Sequence, residues 1–150
     1  MESLHWGSFA YHTYGKDFKD RNMFISQLQN AINGEATTIE FYEVLGGMAP
    51  ARYRDFVTHA REDEMVHLRM FRRLYRRLTG HEPSVQARAT QFSSYKEGLE
   101  LAFRGELDAA ELYRDMYLST RVPKIRDILF RTMTDEMEHA QRFNFLYGLS

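Results

Sequence analysis

Apolar residues recur at spacings of three and four in four separate runs of the chain. This is the period of an amphipathic helix, and no competing alternation suggests a strand. The first run is Phe24/Ile25, Leu28, Ala31/Ile32, Ile39, Tyr42 and Leu45, with Gly46-Gly47 read as its stop. The second follows Pro50, which suits a first helical turn. It continues through Tyr53, Phe56/Val57, Ala60, Leu68, Phe71, Leu74/Tyr75 and Leu78. Turn-forming residues 79–84 end it and open a linker to about Thr90. The third run is Phe92, Tyr95, Leu99, Ala102/Phe103, Ala109/Ala110, Tyr113 and Met116/Tyr117, broken at 119–123. The fourth is Ile125, Ile128/Leu129, Thr132, Ala140, Phe143 and Leu146/Tyr147. Four helices of ~22–29 residues predict an all-α fold, a four-helix bundle roughly 35–40 Å long. Residues 1–21 lack a period and are rich in aromatics (Trp6, Phe9, Tyr11, Tyr14, Phe18). They are expected to form an N-terminal arm on the bundle or on a partner chain, with the bundle domain spanning 22–150.

The two halves repeat. Asn33-Gly34-Glu35 matches Arg104-Gly105-Glu106, and Glu40-Phe41-Tyr42 matches Glu111-Leu112-Tyr113. Asp63-Glu64-Met65-Val66-His67 matches Asp135-Glu136-Met137-Glu138-His139. The offset is 71 in the first helix pair and 72 in the second, so one extra loop residue separates them. Two helical hairpins related by a pseudo-twofold axis and joined by a long crossover follow from this.

Each apolar stripe has a polar gap. Glu35 sits between Ile32 and Ile39, and Glu106 between Phe103 and Ala110. Glu64 and His67 interrupt the second stripe, and Glu136 and His139 the fourth. Four carboxylates and two imidazoles therefore fall at core positions, with no Lys or Arg among them. An uncompensated buried ion costs several kcal/mol, and two divalent cations would cancel four carboxylates. Glu-x-x-His puts oxygen and nitrogen ligands one turn apart on one helical face. In this first reading Glu35 and Glu106 bridge two metals, while Glu64/His67 and Glu136/His139 each hold one. Carboxylate with imidazole suits iron first, manganese second and zinc less well. Asp63 and Asp135 are placed to accept hydrogen bonds from the facing helix's ligand His, and Tyr42 and Tyr113 to bond ligand carboxylates across the core. A third Glu-x-x-His, Glu2–His5, falls in the aperiodic arm and is read as background.

Composition narrows the chemistry. The formal net charge is −1, so bulk charge does not draw the chain to nucleic acid or membrane. Zero cysteines remove disulfides, thiol nucleophiles and thiolate metal centres. No apolar stretch reaches a bilayer-spanning length, and the N-terminus does not read as a signal peptide, so the expectation is cytoplasmic.

On Gly34-Glu35 with Tyr42, Glu64-x-x-His67, Gly105-Glu106 with Tyr113, and Glu136-x-x-His139, residues 22–148 resemble the ferritin-like superfamily, specifically its rubrerythrin group. The resemblance implies a di-iron centre that reacts with dioxygen or hydrogen peroxide, of ferroxidase or peroxide-reductase type. Rubrerythrins carry a rubredoxin domain, whereas this sequence has no cysteine, so electrons must come from an external donor. They also carry a further Glu three residues after the third-helix Glu, where Ala109 stands here. The site is thereby more symmetric, and the family's redox-linked ligand exchange is not carried over.

A second functional class is a metal-binding or stress-protective binding protein with little turnover, using Arg69, Arg72, Arg73, Arg76 and Arg77 along helix two as a basic surface. Near-zero net charge argues against nucleic acid as its partner. Thr38, Ala60, Ala109 and Thr132 are small enough to leave room for an oxidant. A linker at 79–91 reaches roughly 43 Å against a required span of roughly 42 Å. Such a taut crossover raises the prospect of a homodimer with helices three and four exchanged. His5, His12, His59 and His81 are expected to take no part in metal binding.

Overall fold

A computed structural model describes residues 16–150, so the aromatic arm's Trp6, Phe9, Tyr11 and Tyr14, the Glu2–His5 pair and His12 lie outside the described residues. Four helices form: α1 Arg21–Met48, α2 Arg54–Thr79, α3 Tyr95–Ser119 and α4 Pro123–Gly148. α1 packs on α2 and α3 on α4 as two hairpins, which close on each other through α1 with α3 and α2 with α4. No strand is present among the described residues, apart from an isolated bridge between Phe18 and Thr120. No helix among them is long and apolar enough to cross a membrane.

Helix ends follow local chemistry. Asp20 caps α1 by accepting from the Met23 amide at 2.9 Å. Gly46-Gly47 does not stop α1, which runs on to Met48. The stop comes from Pro50, whose ring disfavours helical geometry at the preceding residue, and Ala49 is extended. Pro50 itself lies outside α2, ahead of a short 3-10 turn at Ala51–Tyr53. Gly80 takes a left-handed φ of 78° to close α2, with its amide on Arg76 O at 2.8 Å. α3 begins at Tyr95, three residues later than the apolar pattern suggests. Ser94 accepts from the Glu97 amide at 3.2 Å, and Glu97 Oε2 accepts from the Ser93 amide at 2.7 Å. Phe92 stays ahead of the helix and packs edge-on against Phe41 at 5.0 Å.

The crossover is therefore 80–94, with a reach of about 50 Å, and it is not taut. One chain completes its own bundle without exchanging α3 and α4. The crossover runs along α1 in regular steps. Gln29 Nε2 donates to Ser84 O at 2.7 Å, the Gln86 amide to Asn33 Oδ1 at 3.0 Å, and the Arg88 amide to Thr37 Oγ1 at 2.9 Å. Four helical residues advance about 6 Å and two extended residues about 6.6 Å, which keeps the two in register.

Packing starts upstream of residue 22. Phe18 is buried against Phe24 at 4.8 Å. The Lys19 amide donates to Ser119 O at 2.8 Å and the Arg121 amide to Asp17 O at 2.7 Å. The core has two lobes. Phe24, Leu28, Ile32, Phe71, Leu74, Met116 and Leu129 fill one end of the bundle. Phe41, Leu45, Val57, Leu99, Phe143 and Leu146 fill the other. The six polar gap residues lie between them.

Two glycines make opposite predictions. A Cβ at Gly98 would stand 2.6 Å from buried Leu45 Cδ1 and 2.9 Å from Phe92 Cε2, whereas one at Gly105 meets nothing within 4 Å. Gly98→Val is expected to lower stability by about 1–3 kcal/mol through overpacking. Gly105→Ala is expected to raise it by up to about 1 kcal/mol through helix propensity. Urea denaturation with equal m-values measures both.

Candidate metal centre

One turn of each helix carries the polar layer, and the spacing within each helix aims it inward. Glu35 on α1, Glu64 and His67 on α2, Glu106 on α3, and Glu136 and His139 on α4 are all at most 2% exposed. Their donor atoms form two clusters, each within 4.8 Å: Glu35, Glu64, His67 and Glu136, and Glu64, Glu106, Glu136 and His139. His67 Nδ1 lies 3.0 Å from Glu136 Oε1, 3.2 Å from Glu64 Oε2 and 3.7 Å from Glu35 Oε1. His139 Nδ1 lies 3.0 Å from Glu64 Oε1, 3.1 Å from Glu136 Oε2 and 3.6 Å from Glu106 Oε1. The halves of the site match as the sequence repeat does. The sharing differs from the first reading. Glu64 and Glu136 belong to both clusters, while Glu35 and Glu106 belong to one each.

Polar partners orient the cluster from outside. His67 Nε2 meets Asp135 Oδ2 at 3.0 Å, and His139 Nε2 meets Asp63 Oδ2 at 3.0 Å. With Nε2–H donated to aspartate, each Nδ1 faces inward. Tyr42 donates its hydroxyl proton to Glu106 Oε1, and Tyr113 donates to Glu35 Oε1. Sequence reasoning missed the next partners outward. His59 Nε2 is 3.1 Å from Asp63 Oδ2, and Arg131 Nε is 3.9 Å from Asp135 Oδ2. Each stands four residues before its aspartate, and that helical spacing was the available signal.

The donor set fits metal. Glu64 Oε1 and Glu136 Oε1 are buried without a hydrogen bond, although each is 3.0 Å from an imidazole Nδ1. Three carboxylates converge on each Nδ1, and one N–H serves only one of them. Cations between these atoms would give every inward lone pair a partner.

Electrostatics point the same way. Burial holds the Glu35 and Glu106 carboxyls well above the usual carboxylate range, and the Glu64 charge adds to it. Burial also opposes charging of the two imidazoles, but neighbouring carboxylates outweigh it. Asp135, Glu136, Glu35 and Glu64 raise His67, and Glu106, Glu136 and Glu64 raise His139. Burial, then Glu106 for Tyr42 and Glu35 for Tyr113, keeps both phenols protonated as donors. Burial works against the Asp135 charge, but its hydrogen bond with His67 prevails and lowers its value.

A cleft of about 430 Å³ reaches the layer between α1 and α3. Glu35, Glu64, Glu106 and Glu136 form its floor, and Gln86 and Arg88 of the crossover line its outer edge. Thr38 and Ala109 line it, whereas Ala60 and Thr132 are fully buried in helix packing. Along the basic face of α2, Arg72 and Arg76 pair with Glu82 at 3.4 and 2.8 Å. His81 is exposed in the turn after α2.

Residues 97–149, which carry Glu106, Glu136 and His139, match the rubrerythrin family model. The uncharacterized protein YhjR of Bacillus subtilis is 29% identical over 136 residues, covering 90% of this chain and 94% of that one. A ferritin-like, diiron-carboxylate protein from Bacillus anthracis superposes with a TM-score of 0.73 at 20% identity, covering 86% of this chain and 98% of that one. A dodecameric thioferritin, the bacterioferritin-related protein of Bacteroides fragilis, superposes with a TM-score of 0.72 at 18% identity, covering 83% and 84%. The chain shares the four-helix-bundle fold of these ferritin-like structures, and residues 97–149 are similar to the rubrerythrin family.

Without metal, the cluster holds protons more tightly when folded than when unfolded. The folded state carries the excess above 4.5 for the carboxyls and above 6.5 for the imidazoles. Stability falls with rising pH wherever the folded state binds more protons. The metal-free protein is thus expected to lose unfolding free energy from about pH 5 to about pH 9. Urea denaturation across that interval checks it, and stability rising with pH would contradict the assignment.

Proposed function

We propose that this chain is a di-iron carboxylate protein that reacts with dioxygen or hydrogen peroxide. The supporting observation is the pair of buried donor clusters that share Glu64 and Glu136. Glu35, Glu64, His67 and Glu136 would hold one ion, and Glu64, Glu106, Glu136 and His139 the other. Glu64 and Glu136, common to both clusters, would serve both ions, where the sequence pattern suggested Glu35 and Glu106 for that part. Manganese fits the same donors, zinc less well. When bound, a pair of Fe(II) ions supplies two electrons, enough with two protons to reduce hydrogen peroxide to two waters.

The chain's own residues do the rest. Asp63 and Asp135 keep the proton of each imidazole on Nε2 and so free Nδ1 for the metal. Tyr42 and Tyr113 fix the rotation of Glu106 and Glu35 by hydrogen bonds to Oε1, the oxygen that also faces each imidazole Nδ1. The two apolar lobes exclude water from the ends of the layer, so small oxidants approach through the cleft. These 150 residues include no cysteine for a thiolate electron carrier, which favours a separate donor as the reductant. We place the protein in the cytoplasm as a homodimer. Phe130, Met137 and Phe145, each about half exposed along α4, supply apolar surface for that contact.

Anaerobic titration is expected to load two equivalents of Fe(II), and peroxide is expected to convert them to ferric iron with near-ultraviolet absorbance. Glu64→Ala with Glu136→Ala should abolish both equivalents while circular dichroism keeps the helical signal. Wild-type protein that binds no Fe(II) refutes the proposal. Asp135→Ala removes the carboxylate that accepts from His67 Nε2, and with it the ion pair to Arg131. It is expected to weaken metal binding about 10- to 100-fold, as measured by competition with a chelator.

A further inference from the structure

The cleft above the metal layer is larger than dioxygen or peroxide requires. Its volume of about 430 Å³ falls within the range of pockets that hold small organic ligands. Both helices that wall it give up helix propensity at the matching positions of the repeat. Gly34 and Gly105 lie mid-helix, each next to a floor carboxylate, and a Cβ on either would meet nothing within 4 Å. A mid-helix glycine costs roughly 1 kcal/mol against alanine. No packing demand among the described residues calls for either one, and both line the cleft.

Charge indicates what the space would take. Among the described residues, the ionisable groups lining the cleft are the four floor glutamates, Tyr113 and Arg88. Arg88 is the one basic residue among them. The crossover sets its position through its backbone amide on Thr37 Oγ1 at 2.9 Å. Its guanidinium makes no ion pair among the described residues. This distinguishes it from Arg72 and Arg76, which meet Glu82. Two divalent cations would cancel the four carboxylates and leave Arg88 as the uncompensated charge of the cleft.

We propose that the cleft binds a small organic anion whose carboxylate or phosphate pairs with Arg88, with its body lying over Gly34 and Gly105 toward the metal layer. The planar guanidinium fork suits either anion through two parallel hydrogen bonds. This rests on the di-metal reading of the floor, because without cations four carboxylates would repel the ligand.

The test uses the full chain loaded with Mn(II), which avoids turnover, and calorimetric titration with benzoate, hexanoate and phenyl phosphate. Benzamide is the neutral control. Metal content is measured first for every variant. At least one anion is expected to bind and benzamide is not, and comparing benzoate with phenyl phosphate distinguishes the two headgroups. Arg88→Ala should weaken binding tenfold or more, Arg88→Lys should restore part of it, and Gly105→Leu should block it by filling the cleft. Two bound metal ions with no anion binding, or anion binding indifferent to Arg88→Ala and Gly105→Leu, overturns this inference and leaves the di-metal reading standing. A chain that binds no metal overturns both.

Discussion

The structure depends on the burial of four carboxylates in one layer of an apolar bundle. Each is at most 2% exposed, and no Lys or Arg enters the layer. The apolar residues split into two lobes because this layer passes between them. All four helices present a polar residue at the same height, which ties their mutual register to this layer. Side chains from the opposite hairpin complete the arrangement. Asp63 reaches His139, Asp135 reaches His67, Tyr42 reaches Glu106 and Tyr113 reaches Glu35. Each hairpin thus orients the other's donors, and neither half of the repeat holds a finished site alone.

The crossover joins this layer to the outside. Fastened along α1 by Gln29, Asn33 and Thr37, it runs beside the open edge of the site. The same α1 turn carries Glu35 toward the interior and presents Asn33 and Thr37 to the strap. Residues that hold the topology together therefore also border the route to the chemistry. The opposite side of the layer is closed by the aspartates and, beyond them, by His59 and Arg131. Those two differ in kind at equivalent positions of the repeat, so the symmetry of the donors does not extend to their surroundings.

Much of the fold was legible from hydropathy alone. Helical period, four runs and an internal repeat lead to two hairpins because an apolar stripe has few ways to be buried. Helix ends were less legible. Gly46-Gly47 resembles a stop, yet the boundary came from the steric effect of Pro50 on Ala49. Phe92 resembles a first helical residue, yet the capping by Ser94 and Glu97 left it outside while it still packed on Phe41. That shift lengthened the crossover and removed the reason to expect exchanged helices.

For the site, the sequence by itself determined which side chains lie inside. Helical spacing leaves Glu35, Glu64, His67, Glu106, Glu136 and His139 no face but the apolar one, and the absence of cysteine limits the donors to oxygen and nitrogen. Only the tertiary structure decided which carboxylates are held in common. Periodicity states the face of a helix on which a residue lies, but not which neighbours reach past the midline. That depends on how closely the helices cross and on the torsions of each glutamate. Here the outcome puts Glu64 and Glu136 between the two imidazoles and leaves Glu35 and Glu106 to one side each.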